Sequence, residues 1–92
     1  MFSKIDYKNG QIVFVDQSDL LKEDILHVQY PDDLLLDVGF YGKQYKIFVI
    51  KNLNWEEPIV VCTAADFNDM LRKLQKIINE LTILKKFTEV TK

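Results

Sequence analysis

The last third of the chain decides what the first two thirds must do. Phe67, Leu71, Leu74, Ile78 and Leu81 recur at steps of four and three, and Met70, Ile77 and Leu84 form a second row beside them. At about 100° per residue these eight fall within an arc of roughly 140°. The opposite side carries Asp69, Arg72, Lys73, Lys76, Asn79 and Glu80. The pattern predicts one long amphipathic helix over about 64–86, roughly 35 Å at 1.5 Å per residue, with 87–92 fraying beyond it. Thr63-Ala64-Ala65-Asp66 reads as a capping box with Thr63 as N-cap. An apolar stripe this wide must be covered, so residues 2–63 have to supply the surface that covers it.

Those residues read as short strands. Leu34 to Tyr41 and Gln44 to Lys51 alternate around Gly42-Lys43, which suits a type II′ turn. Pairing outward from that turn sets Phe40 against Tyr45, Val38 against Ile47 and Leu36 against Val49, all on one face. A loop at Pro31 to Asp33 then sets Tyr30 against Leu34 and Val28 against Leu36, which brings Ile25 to Tyr30 into the sheet. Leu26, Val28 and Tyr30 share the core face, and Ile25, His27 and Gln29 take the other. Asn9-Gly10, the strongest short hairpin signal, predicts a hairpin over Lys4 to Val15 with Tyr7 opposite Ile12 and Ile5 opposite Phe14. Ser18 or Asp19 could cap a helical turn over 20–23. Ile59 to Thr63 is a last strand feeding the helix. The sum is a single α+β domain over 1–92: an antiparallel meander of five to six strands within 2–63, with the helix packed across one face.

Composition narrows the function. Ninety-two residues bound a small core. A formal net charge of −2 argues against duplex nucleic acid or an anionic membrane as partner. One cysteine excludes an internal disulfide framework or a Cys-rich zinc site. Met1 to Asp6 puts an acid where a signal peptide needs its apolar core, and no run is long enough to span a bilayer. The expectation is a soluble, cytoplasmic protein.

Few residues carry chemistry. His27 is the only histidine and reads as a surface residue, because a catalytic base needs an oriented partner and a nucleophile that the sequence does not name. Asp32, Asp33 and Asp37 read as a solvated turn and an edge charge, with no calcium-loop spacing. Cys62 ends the last strand and reads as buried. The expectation is therefore no catalytic residue, no cofactor and no metal. What remains is surface. Trp55 lies in a polar loop, and tryptophan is prominent in binding hot spots. Leu35, Phe48 and Ile50 form an apolar patch on the face away from the helix, near Tyr41, and such a patch marks an interface. The reading is a small non-enzymatic protein-interaction module of the inhibitor, immunity, adaptor or phage-accessory kind, its partner another protein or a second copy of itself. Two alternatives stand beside it. One is a small-molecule or hydrolytic enzyme using His27, Asp37 or Tyr41 at the open end of the sheet. The other is a single-strand nucleic-acid binder that stacks bases on Phe40, Tyr41, Tyr45 and Phe48 near Lys43 and Lys46.

Overall fold

The computed structural model describes the backbone of residues 2–16, 18 and 22–91, and the side chains of those up to residue 81. Five antiparallel strands follow in sequence and in space: β1 (Gln11–Val15), β2 (Leu26–Tyr30), β3 (Leu34–Tyr41), β4 (Gln44–Lys51) and β5 (Val60–Ala64). One helix, α1 (Phe67–Thr91), completes the α+β fold. Of the helical turn expected over residues 20–23, residues 20 and 21 lie outside the described residues, and Lys22 and Glu23 form a bend.

The central pairings follow from alternation and turn chemistry together. β2 and β3 pair Tyr30 with Leu34 and Val28 with Leu36. β3 and β4 pair Leu36 with Val49, Val38 with Ile47 and Phe40 with Tyr45. Gly42 takes φ +64° and Lys43 does not, as a type II′ turn requires. α1 lays Met70, Leu74 and Ile78 onto Leu26, Val28, Leu36, Val38, Ile47 and Val49, all fully buried. Each such aliphatic side chain stabilises by about 1.5–3 kcal/mol on leaving water. Ile25 joins this core instead of the far face, because regular pairing in β2 begins only at Leu26.

The expected N-terminal hairpin does not form. Phe2–Lys4 is a short 3-10 turn, and among the described residues no strand precedes β1. Residues 2–7 pack beside α1 instead. Phe2 stands edge-on to Phe67 at 5.4 Å, Ile5 and Tyr7 pack against the core, and the Gln75 amide grips the Asp6 backbone, accepting from its N–H at 2.8 Å and donating to its carbonyl at 3.0 Å. The turn is made at Lys8, which takes φ +58°, its N–H donating to Asp6 Oδ1 at 3.0 Å. Gly10 serves a different purpose from the expected one. A Cβ there would lie 2.4 Å from the Tyr30 ring and 2.7 Å from a Val28 methyl. Tertiary packing thus overrode a strong local hairpin signal.

The helix start also moves. Thr63 stays in β5, paired with Lys46, and Asp66 is the cap: its Oδ1 accepts from the Asp69 N–H at 2.8 Å. We expect Asp66→Ala to cost about 1 kcal/mol in urea unfolding, while Thr63→Ala, with no cap to lose, should change stability far less. An equal loss in both variants would restore Thr63 as the cap. α1 continues to Thr91, past the expected end near Lys86.

Candidate functional site

The helix and the N-terminal segment cover one face of the sheet, which leaves the other face for function. Strand register places one residue from every strand in a single row across it: Phe14, His27, Asp37, Phe48 and Val61. A bulge between Ile12 and Phe14 sets Phe14 beside His27, their rings 5.2 Å apart. Tyr41 stands edge-on to Phe48 at 5.7 Å.

Asp37 is the unusual member. It lies on the central strand and is 1% exposed, so it is not the edge charge that its sequence context suggests. The segment before β2 helps to close over this part of the face. Phe40 N–H donates to the Lys22 carbonyl at 2.8 Å and Ile25 N–H to the Val38 carbonyl at 3.0 Å, which straps residues 22–25 across Gly39. Only glycine permits this approach, because a Cβ on Gly39 would fall 1.8 Å from the Glu23 carbonyl oxygen. The strap delivers Asp24 to the site.

Three ligand-type side chains therefore meet. His27 Nε2 lies 2.6 Å from Asp37 Oδ1 and 3.6 Å from Asp24 Oδ1. The Tyr41 hydroxyl donates to Asp37 Oδ2 at 3.5 Å, the outer limit of a hydrogen bond. Burial pushes the Asp37 carboxyl up to about 6, against the pull of His27 and with a further push from Asp24. Burial, then the Asp37 charge, pushes the Tyr41 hydroxyl up to about 12. The close contact is nonetheless incomplete. His27 Nε2 and Asp37 Oδ1 are both buried, yet neither makes a hydrogen bond of acceptable geometry. Such an arrangement can hold a cation or a polar ligand group. Cys62, half-buried, is registered with Ile47 on the helix side, so it supplies no nucleophile here.

The residues expected to form an interface are partly dispersed. Leu35, Phe48 and Tyr41 are half-buried on the helix-free face. Ile50 is fully buried and offers no contact surface. Trp55 is 49% exposed in the loop between β4 and β5. The four aromatics proposed to stack bases divide between faces. Phe40 and Tyr45 stack on each other on the helix side, centroids 4.9 Å apart, and only Tyr41 and Phe48 remain on the other. Sequence reasoning placed Phe14 in the wrong hairpin and named His27, Asp37 and Tyr41 for the alternative enzyme site without deriving the His27–Asp37 pairing. The signal for the pair was present: a register that sets Val28 against Leu36 sets His27 against Asp37 one step away.

Comparison with protein-family models, with curated proteins and with solved structures gives no match to this chain. Among the described residues, no helix is long and apolar enough to cross a membrane.

Proposed function

We propose that this chain is a non-enzymatic protein-binding module whose contact surface is the edge strand β1 and the adjoining helix-free face. Its partner is another protein or a second copy of the chain, met in the cytoplasm. One observation carries the reading. Every residue of β1 is exposed, and Ile12, Val13, Phe14 and Val15 are four large apolar side chains in succession. Among the described residues β1 has a strand neighbour on one side only. Its outer edge therefore offers backbone N–H and C=O groups beside apolar surface. Of the devices that ordinarily guard such edges, β1 has short length, five residues, and the bulge between Ile12 and Phe14, but neither a charged residue nor a proline. An added strand satisfies the backbone groups and covers the side chains at once. Val61, Ile59, Leu53 and Trp55 extend exposed apolar surface at the opposite edge. The net charge of −2 disfavours duplex nucleic acid and anionic membranes as partners.

The test is association. Val13→Lys with Phe14→Lys should leave the far-ultraviolet circular dichroism unchanged. It should weaken self-association in analytical ultracentrifugation, or binding to a crosslinked partner, by roughly tenfold or more, the scale of losing one hot spot. Phe48→Ala and Trp55→Ala probe the rest of the surface in the same way. If the folded variants associate as the parent does, the reading is lost. A second reading, a small-molecule or hydrolytic site, is favoured by one observation: His27, Asp37 and Tyr41 do meet. It predicts saturable ligand binding that Tyr41→Phe alters.

A further inference from the structure

We infer that His27 Nε2, Asp37 Oδ1 and Asp24 Oδ1 form a binding site for a first-row divalent cation of the zinc type on the helix-free face of the sheet. The three atoms lie within 4.8 Å of one another. Around a tetrahedral ion with bonds of about 2.0–2.2 Å, neighbouring ligand atoms stand about 3.3–3.6 Å apart. The 3.6 Å from His27 Nε2 to Asp24 Oδ1 matches that spacing, and the 2.6 Å to Asp37 Oδ1 has to open by about 0.7 Å to admit an ion.

The second observation is independent of the clustering. Asp37 is 1% exposed, and its Oδ1 meets His27 Nε2 at 2.6 Å outside hydrogen-bond geometry, with no other hydrogen-bond partner for either atom. A buried ion pair that existed for its own sake would align a proton between the two atoms, because an unsatisfied buried polar atom is costly. A cation between them uses both lone pairs and removes that cost. The rest of the surroundings suit a ligand set. Tyr41 holds the other oxygen of Asp37, leaving Oδ1 to coordinate, and such outer contacts orient first ligands. Phe14 packs against the imidazole. Asp24 is exposed, which gives the ion a path from water. Two carboxylates and a neutral imidazole match a dication in charge. The imidazole favours zinc, cobalt or nickel over magnesium or calcium, which prefer oxygen alone.

Isothermal titration of the full chain, stripped with chelator, tests this with zinc ion itself. The expected result is one zinc per chain with a raised melting temperature, no heat with magnesium, and a cobalt adduct with visible absorption. His27→Ala and Asp37→Asn should each weaken zinc binding by tenfold or more. Asp24→Asn should also weaken it while leaving the fold intact, since that side chain is exposed, and this keeps the test decisive if a core variant misfolds. Glu23→Gln, the neighbouring acid outside the set, should bind as the parent does. Absence of zinc binding overturns the inference. So does binding that survives Asp24→Asn and His27→Ala unchanged, which would place the ion on other surface carboxylates.

Discussion

Replacing Gly39 with alanine is expected to destabilise the protein by about 3–5 kcal/mol, combining an overpacked contact of about 1–3 kcal/mol with two backbone hydrogen bonds at about 1 kcal/mol each. The added methyl would sit 1.8 Å from the Glu23 carbonyl oxygen and 2.7 Å from its carbon. Those atoms are backbone and cannot rotate away. The strap over residues 22–25 must lift, and with it go the bonds Phe40 N–H to Lys22 and Ile25 N–H to Val38. For a domain of this size each kcal/mol lowers the melting temperature by roughly 4–8 °C, so a fall of about 12–40 °C is the outcome to look for in a thermal scan. Gly42→Ala is the control. Its Cβ meets nothing, and only the positive φ of +64° opposes it, at about 1–2 kcal/mol. Equal losses at the two glycines would mean that the strap does not press on β3, and Asp24 would then have no fixed place beside His27.

The contrast between these glycines shows what a sequence can and cannot disclose. Gly42 sits between two alternating strands, and turn type, register and core face all follow from neighbours within a few residues. The β3–β4 and β2–β3 pairings were legible for that reason. Gly39 and Gly10 are required by segments distant in sequence, the strap at Glu23 and the ring of Tyr30, and nothing local announces either contact. The same limit applies to the helix cap. Thr63 has the chemistry of an N-cap, but its backbone is held in the ladder with Lys46, and the next acceptable residue, Asp66, takes the role. The site divides along the same line. The helix-free face and its half-buried residues Leu35, Phe48 and Tyr41 follow from alternation. The burial of Asp37 does not, because a carboxylate in a strand is ordinarily exposed. Its place depends on the strap, on Phe48 and on its pairing with His27.

His27 and Asp37 supply the second large effect, and it should change sign between single and double variants. In chelator-treated protein, His27→Val leaves Asp37 buried without its partner, at an expected cost of about 2–4 kcal/mol in urea unfolding, somewhat below the usual 3–5 for breaking a fully buried pair because the His27 side chain is 26% exposed. Asp37→Val should cost less, since His27 keeps contact with water and with Asp24 at 3.6 Å. Valine suits a strand and closes against Phe48 and Phe14. The double variant His27→Val with Asp37→Val should recover the parent stability or exceed it by about 1–4 kcal/mol, as buried pairs replaced by apolar residues often do. A double-mutant cycle reads this directly as a coupling energy. Additive single effects would show that the two side chains do not sense each other, and the site would lose its centre. A coupling with a double variant more stable than the parent would show that the two groups sense each other and yet cost the sheet net stability relative to hydrocarbon.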